Sequence, residues 1–351
     1  MFETPLFLSY EPAEVLAEEP GEGFQSAQPD SLSAFLATRC ANASKPWLSV
    51  VMPIHHGEPW LGATFDSIVE GDARGIEIIF IDSSADDLSV EIAEKYRDRL
   101  DIIIHRRADL KPWTDKTNYG VATARADHVV MLHQDDIWLP NRIEQLRQWI
   151  DAAPAASVQF APTAIIDHAG RTMGIWRCPL DAGPVGRDTL LRRLLVQCFV
   201  SVPAPVFRRD AFIATGGMES ALWYTADWDL WLKLATAGSA IYRSEVTTGF
   251  RVHGQSLTIT GSRVSEDFEA QLRRVLDRHT TNDQPRSRLA DASVRINVGL
   301  AEAAAGSGWA LLRVLRTMAA LGPVSLIRYF RYSRLLERSL PRLRAGLIGA
   351  R

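Results

Sequence analysis

The sequence predicts an α/β fold in which helices flank a doubly wound, mostly parallel sheet. Short apolar runs of strand length alternate with helical segments from residue 48 onward, a pattern typical of parallel sheets. The predicted strands are Leu48–Pro53, Ile76–Ile81, Asp101–His105 and His128–Leu132. The predicted helices are Trp60–Val69, Ser89–Leu100, Lys116–Arg125 and Pro140–Asp151. No G-x-G-x-x-G pattern follows the first strand, which disfavours a dinucleotide-binding fold of the usual kind.

The alternation weakens after residue 151, and from Ser265 onward the pattern is helical. Between these points we expect several strands and two helices. The strands are Ser157–Phe160, Ala164–Asp167, Arg171–Trp176, Pro203–Phe207 and Ile241–Val252, and the helices are Asp188–Cys198 and Asp227–Thr236. We therefore divide the chain into an acidic segment (1–46), an α/β domain (47–260) and a helical region (261–351).

The composition limits the class of protein. Of the 351 residues, 46% are hydrophobic and 23% charged, which is ordinary for a globular chain, and the net charge of −3 does not indicate nucleic-acid binding. Three scattered cysteines are too few for a disulfide scaffold or a zinc site, and we read them as buried and inert. The first ten residues lack the basic segment of a signal peptide, and no apolar run is long enough to cross a bilayer. We expect a cytoplasmic protein.

Two adjacent carboxylates, Asp135 and Asp136, end the predicted strand His128–Leu132. Two like charges at a strand end are costly unless something neutralises them, and a divalent cation prefers carboxylate oxygens. Open α/β sheets also bind their ligands at the carboxyl ends of the strands. The alternative is that one of the two aspartates is the N-cap of the helix that follows.

Four segments, taken in order, resemble the motifs of the family 2 inverting glycosyltransferases. The first strand and its turn read Ser49-Val-Val-Met-Pro-Ile-His-His56, and the family's VDDGSxD turn reads Ile79-Phe-Ile-Asp-Ser-Ser-Ala-Asp-Asp87. The helix that leads into the LDxDD metal motif corresponds to residues 118–140. The EDxDLWLRLA segment reads Ala226-Asp-Trp-Asp-Leu-Trp-Leu-Lys-Leu-Ala235 and is followed by Arg251-Val-His-Gly-Gln-Ser256, like RxHxxS. The resemblance covers about residues 47–256 and implies a GT-A fold.

The chain departs from these motifs at four positions. Family aspartates are replaced by Ser83 and His133, the glutamate before the catalytic base by Ala226, and the arginine of the family's RN pair by Thr117. Since Ser83 and His133 both fall where the nucleotide is expected, they bear on the uridine preference of the family. A pyrimidine donor of UDP or dTDP type remains our first choice.

The resemblance implies a role for each acidic motif residue. Asp135 is the direct ligand of Mn²⁺ or Mg²⁺, and Asp136 supports it or caps the following helix. His253 reaches the metal or the diphosphate, with a packing role as the alternative. Asp227 is the general base that takes a proton from the acceptor hydroxyl, a role worth about 10²–10⁴ in rate. Its alternative is an N-cap, and Asp229 is expected to be structural.

The resemblance also places residues around the donor nucleotide. Pro53, Ile54 and His55 form the wall on which the base stacks, with a solvated loop as the alternative for the histidine. Asp82 accepts a hydrogen bond from the base ring or forms an Asx-turn. Asn118 contacts the ligand or caps a helix. Before the predicted base, Trp223 and Tyr224 are candidates for an acceptor platform or for plain core packing.

The C-terminal region is strongly basic. Residues 311–351 contain nine arginines and one acidic residue among large apolar side chains, whereas residues 1–46 contain seven acidic and two basic residues. A basic amphipathic helix is typical of a membrane surface, here the anionic inner face, and the alternative is a helical cap on the catalytic domain. The acceptor is expected to be a glycan or a lipid-linked molecule.

Two other functions compete with sugar transfer. The departures at Ser83, His133 and Ala226 leave open a catalytically silent protein that binds a nucleotide-sugar or glycan, or that acts as a scaffold. A nucleotidyltransferase is disfavoured because no Gly-rich loop with lysine or arginine follows the first strand.

Overall fold

A computed structural model describes residues 45–254, 256, 265–281 and 285–340. The predicted acidic segment lies outside these residues except for its last two positions, and so does the end of the basic region. The predicted boundaries of the three parts of the chain stay a prediction.

The main sheet has eight strands in the order β3-β2-β1-β4-β10-β6-β11-β9. Pairing is parallel from β3 through β2 and β1 to β4, and again between β6 and β11. The other three pairs are antiparallel. The strands are β1 (Leu48–Ile54), β2 (Ile76–Asp82), β3 (Asp101–Arg106), β4 (His128–Met131), β6 (Val158–Phe160), β9 (Gly183–Val185), β10 (Val206–Arg208) and β11 (Ala240–Tyr242). The predicted doubly wound, mostly parallel sheet is thereby confirmed.

Helices connect the strands of this sheet. In chain order they are α1 (Leu61–Val69), α2 (Leu88–Glu94), α3 (Trp113–Thr123), α4 (Arg142–Ala152), α5 (Arg187–Leu194), α6 (Arg209–Ala214) and α7 (Ala226–Ala237). Helix α2 ends six residues before the predicted Leu100, because residues 95–99 continue as turns.

A smaller sheet has the order β5-β12-β7-β8. Its strands are β5 (Ile137–Trp138), β7 (Thr163–Ile166), β8 (Thr172–Trp176) and β12 (Thr248–Arg251). The prediction of one strand over Ile241–Val252 is wrong. The chain changes sheets there, since Tyr242 ends the pairing of β11 with β6 and Thr248 begins the pairing of β12 with β5.

Alternate residues of β1 point into two different apolar clusters. Val51 belongs to the cluster that includes Trp231 and Leu234 of α7, whereas Val50 and Met52 belong to the cluster with α1 and α4. Both faces of the strand are fully buried, so the near-continuous apolar run of β1 follows from helices covering both sides of the sheet.

The C-terminal helices form a folded extension. They are α8 (Ser265–His279), α9 (Arg288–Ala304), α10 (Gly308–Ala320) and α11 (Gly322–Ser333), and residues 335–340 are also helical. The side chain of Ser287 caps α9 by accepting from the Ala290 N–H. Tyr329 of α11 is fully buried beside Val196 from the α/β part, so the extension packs on that part. The predicted C-terminal helical extension is confirmed.

Within the described part of the chain, no single helix is both long and apolar enough to cross a bilayer. The pair α10 and α11, bent by 113°, meets the same length and composition test only when the two helices are taken together.

Helix α3 approaches the sheet closely at Gly120. A Cβ atom there would lie 2.5 Å from Cγ1 of Val51 and 2.9 Å from Cδ1 of Ile81. Gly62 of α1 has open space by comparison, since its nearest neighbour would be the Tyr96 hydroxyl at 3.8 Å. The contact at Gly120 sets the distance between α3 and the strands that carry the site.

We predict opposite effects of the same substitution at these two glycines. Gly62→Ala should raise the free energy of unfolding by roughly 0.5–1 kcal/mol through helix propensity. Gly120→Ala should lower it by about 1–2 kcal/mol, because overpacking outweighs the same gain in propensity. Urea denaturation followed by circular dichroism measures both. An equal gain at the two positions would contradict the close approach of α3.

Candidate active site

A cavity of about 460 Å³ lies where the carboxyl ends of β1 and β4 meet. Its lining includes Pro53, His55 and His56, which end or follow β1, and His133 and Asp135, which follow β4. The strands are parallel, so their ends share one edge of the sheet. Other walls come from the segment that follows α5 (197–202), from the segment before α7 (223–225), from α7 and α8, and from the C-terminal helical residues.

Three side chains after β4 form a group suited to a cation. The possible ligand atoms of His133, Asp135 and Asp136 lie within 4.8 Å of one another. A ring nitrogen of His133 (Nε2) and one oxygen of Asp136 (Oδ2) are buried without a hydrogen-bond partner. Carboxylate oxygens suit Mn²⁺, imidazole nitrogens suit several other divalent transition metals, and buried polar atoms without a partner are costly without an occupant. This donor set therefore fits a divalent cation.

Asp136 does not cap a helix. Helix α4 begins at Arg142, and its N-cap position is Asn141, five residues farther along the chain. The two-residue strand β5 lies between, so the N-cap alternative for Asp135 and Asp136 is wrong. Burial and the neighbouring Asp135 charge raise the pKa of Asp136 well above its usual value, whereas a hydrogen bond from the Arg251 N–H opposes this shift.

His253 contacts the aspartate pair, but it lies outside the group of three. Its Nε2 is 2.9 Å from Oδ2 of Asp135, and its ring stacks on Trp60 with a centroid distance of 3.8 Å. The predicted contact of His253 with the metal or the diphosphate stays a prediction. One face of the His253 ring packs on Trp60, which agrees with the alternative of a packing role, and the hydrogen bond orients the Asp135 carboxylate.

The turn after β1 is fixed to the aspartate motif by Gln134. Its side-chain amide accepts from the His55 N–H at 2.7 Å and donates to the His55 carbonyl at 2.9 Å. Three residues were predicted to form the wall on which the nucleotide base stacks. Pro53 and His55 line the cavity, but Ile54 does not, because its side chain is fully buried in the core. Burial lowers the pKa of the His55 imidazole.

Lys116 of α3 also reaches the cavity, a residue that the motif comparison did not single out. Its ammonium donates to the Ile54 carbonyl at 2.7 Å and to the Ser83 hydroxyl at 2.8 Å. Burial lowers its pKa to about 8. The i,i+4 spacing from Gly120, which faces β1, is the sequence signal that places Lys116 on the same face of the helix.

The other two residues predicted to contact the donor nucleotide form hydrogen bonds within the protein. Asp82 is fully buried at the end of β2 and accepts from the Ser84 N–H and hydroxyl, so it forms the Asx-turn that was its alternative. Asn118 lies inside α3 and bonds both the N–H and the carbonyl of Met218. It neither caps a helix nor lines the cavity, because its amide joins α3 to the loop after α6.

Asp227 lines the cavity from the first turn of α7. It is not the N-cap, which is Thr225, so the alternative for this residue is wrong. One carboxylate oxygen accepts from the Trp228 N–H at 2.8 Å, and the other lies 4.0 Å from Sγ of Cys198. Its position on a buried helix holds the carboxylate at the wall of the cavity that Asp135 also lines.

Asp229, two residues along, is buried away from the cavity lining. Burial alone would raise the pKa of this carboxyl, but hydrogen bonds from His279 and Lys233 hold it below its usual value. The His279 contact ties α7 to α8, in agreement with the expected structural role.

Aromatic side chains form the wall near Asp227. Trp223 and Tyr224 both line the cavity, and they also pack: the Trp223 indole donates to Asp267 at 2.8 Å, and Tyr224 meets Phe268 edge-on. Trp231, in contrast, is fully buried against Phe160 and Phe207. Both sequence interpretations of the Trp223–Tyr224 pair are thus compatible with its position.

Two lining residues carried no signal in the sequence. Cys198, expected to be inert, borders the cavity next to Asp227, although burial raises the pKa of its thiol well above the usual value. Arg338 comes from the C-terminal helical residues 335–340. Their positions depend on tertiary packing between distant segments, which no local pattern records.

A second group of possible metal ligands lies beside the first turn. His56, Glu58 and Asp86 bring their ligand atoms within 4.8 Å of one another. His56 and Asp86 are exposed, and Glu58 is partly buried. An ion there would be more hydrated than one at the β4 motif.

Comparison with known proteins agrees with this architecture. A family model described as Glycosyl transferase family 2 matches residues 49–214. An uncharacterized glycosyltransferase of Rickettsia typhi is 24% identical over 234 residues, which cover 65% of this chain and 71% of that protein.

Two solved structures show the same fold. The mannosyltransferase PcManGT from Pyrobaculum calidifontis, in complex with GDP-Man and Mn²⁺, has a TM-score of 0.54 and 16% identity and covers 90% of this chain and 93% of its own. S. aureus TarS 1–349, in complex with UDP-GlcNAc, has a TM-score of 0.51 and 14% identity, with coverages of 82% and 91%. Residues 49–214 therefore match the model of glycosyl transferase family 2, and the chain has the GT-A fold that its motifs indicated.

Proposed function

We propose that this chain is a metal-dependent inverting glycosyltransferase that moves a sugar from a nucleoside diphosphate to a hydroxyl of a glycan or lipid-linked acceptor. One observation carries the proposal: a single cavity is lined both by His133 and Asp135, which belong to the group suited to a cation, and by Asp227. A nucleotide-sugar bound in this cavity would have its diphosphate near the cation-binding residues and the acceptor hydroxyl near a base.

The side of the cavity near β1 and β4 suits the donor. His133, Asp135 and Asp136 would hold Mn²⁺ or Mg²⁺, which neutralises charge on the leaving diphosphate when bound. Lys116 adds a positive charge to the same wall, and Pro53 and His55 offer a surface for the base. TarS and PcManGT are described with UDP-GlcNAc and with GDP-Man, which supports a nucleotide-sugar donor here; UDP or dTDP remains our choice.

Asp227 would act on the acceptor. It accepts the proton of the attacking hydroxyl while the oxygen bonds to the anomeric carbon and the bond to the diphosphate breaks. A single displacement inverts the configuration at that carbon. The apolar contacts of Trp228, which is buried beside the carboxylate, limit water at this point.

Binding of the donor should require Asp135. We expect Asp135→Ala to weaken nucleoside-diphosphate binding in the presence of Mn²⁺ at least tenfold, since loss of even an outer-shell contact costs about 10–100-fold. Isothermal calorimetry measures the affinity. Asp86→Ala, which removes a carboxylate from the second group of possible ligands, is the control and should bind like the wild type. Unchanged affinity in Asp135→Ala would exclude the metal role.

Sugar transfer should require Asp227, whereas donor binding should not. Asp227→Asn keeps the shape of the side chain but cannot accept the proton, so turnover should fall by about 10²–10⁴ while calorimetric binding stays as in the wild type. Radiolabelled sugar transfer or release of nucleoside diphosphate reports turnover. A variant that retains more than about a tenth of the rate contradicts the assignment. A wild type that binds donor but never turns it over favours the silent binding protein.

We extend the proposal to a membrane surface bound by α10 and α11. Three apolar side chains there are largely exposed: Trp309 by 79%, Val324 by 71% and Ile327 by 71%. Arg316, Arg328 and Arg331 are exposed on the same two helices and belong to none of the ion pairs among the described residues. Apolar and cationic side chains together match the acyl boundary and headgroups of an anionic leaflet.

Anionic liposomes should therefore capture the protein through these residues. The double variant Val324→Ser, Ile327→Ser should bind phosphatidylglycerol vesicles at least tenfold more weakly, since each buried apolar side chain contributes about 1.5–3 kcal/mol. Leu88→Ser, Ile213→Ser, which changes exposed apolar residues on α2 and α6, is the matched control. Co-sedimentation at low and high salt measures binding, and salt should weaken it. Equal binding by both double variants would contradict the proposed surface.

A further inference from the structure

A buried arginine of the C-terminal extension borders the cavity. Arg338 is only 8% exposed, yet its side chain lines the cavity together with Gln197, Cys198 and Asp227. It is brought there by residues 335–340, far from the family motifs in sequence.

The polar partners of this guanidinium are neutral. One terminal nitrogen (Nη2) donates to the side-chain oxygens of Gln197 at 3.0 Å and Asn297 at 2.6 Å. The Nε atom is buried without a hydrogen-bond partner. No carboxylate among residues 45–340, where described, forms an ion pair with Arg338. Burial lowers its pKa, but a guanidinium remains charged at neutral pH.

A buried charge without a counterion is costly, by several kcal/mol even after relaxation. The same segment avoids this cost four residues earlier, where Arg334 pairs with Glu337 at 3.0 Å. A structural contact to Gln197 and Asn297 needs only a neutral donor. The charge of Arg338, directed at a cavity that a substrate enters, therefore calls for an anion from outside the chain.

The surroundings of Arg338 place this anion on the acceptor side. Cys198 follows Gln197 in the chain, and its sulfur lies 4.0 Å from the Asp227 carboxylate. Tyr224, which lines the wall before α7, is also close enough to interact electrostatically with Arg338. The donor wall, in contrast, is formed by residues that follow β1 and β4.

We propose that Arg338 binds an anionic group, a phosphate or carboxylate, on the acceptor next to the hydroxyl that Asp227 deprotonates. The inference rests on the proposed function and specifies its acceptor class. A guanidinium presents paired N–H donors that match both anions. The same chemistry occurs in a polyol phosphate, a lipid phosphate and an acidic sugar.

Three matched pairs of probes distinguish these sources. They are glycerol 3-phosphate with glycerol, farnesyl phosphate with farnesol, and methyl glucuronide with methyl glucoside. Calorimetry is performed on the full chain saturated with UDP and Mn²⁺, so that the diphosphate site is already filled. Binding of UDP with Mn²⁺ is measured first for every variant, and it also reports whether the variant folds.

We expect one anionic probe to bind at least tenfold more tightly than its neutral partner. Arg338→Met should remove that preference, and Arg338→Lys should restore part of it. Arg295→Met, which removes an exposed arginine of α9, should behave like the wild type. A loss of tenfold or more corresponds to one charged hydrogen bond.

Three results would overturn the inference: no anionic probe binds, anionic and neutral probes bind alike, or Arg338→Met keeps the preference. Each of them can occur while UDP and Mn²⁺ still bind, and then the acceptor inference fails alone. If the wild type does not bind UDP with Mn²⁺, the donor part of the proposed function fails instead. Arg338→Lys keeps the test valid should Arg338→Met fail to fold.

Discussion

Arg251 balances the buried acidic charges on which the geometry of the site depends. Its backbone N–H donates to the Asp136 carboxylate at 2.9 Å, and its Nε donates to the Asp135 carbonyl at 2.6 Å. A terminal nitrogen also bonds the carbonyls of Asp167 and His168. The last residue of β12 thus joins the end of β4 to the smaller sheet. Without this cation, two adjacent carboxylates, one of them fully buried, would repel each other in a medium that screens charge poorly.

The residues that line the cavity fall into two chemically different groups. The strand ends of the main sheet present imidazole, carboxylate and ammonium groups, which are suited to a diphosphate with a cation. Other lining residues come from α7, α8 and the C-terminal residues, and they combine aromatic side chains with Asp227 and Arg338. The C-terminal extension therefore contributes to the site as well as covering the domain. Its exposed large apolar side chains are on α10, α11 and residues 335–340, whereas Arg338 of that last segment is buried.

Local patterns in the sequence were sufficient for the strands and helices of the parallel half, because each face of β1 and β2 is buried and the apolar runs are unbroken. The same patterns failed at Ile241–Val252, where an extended segment divides between two sheets. The position of Asp135 at a strand end was also predictable, as was Asp227 at the start of a helix. The amide contacts of Asn118, the burial of Ile54 and the contact of His253 with Asp135 were not, since each depends on a partner more than 60 residues away or on packing from both sides.

The most direct test of this account is to locate the metal. A crystal of the full chain grown with UDP and Mn²⁺, measured at the manganese absorption edge, shows the ion as an anomalous peak. We expect the peak in contact with the Asp135 carboxylate, at roughly 2.0–2.6 Å, the range that Mg²⁺ and Ca²⁺ span with oxygen ligands. A peak at His56, Glu58 and Asp86 instead, or bound UDP with no manganese near Asp135, would contradict the account.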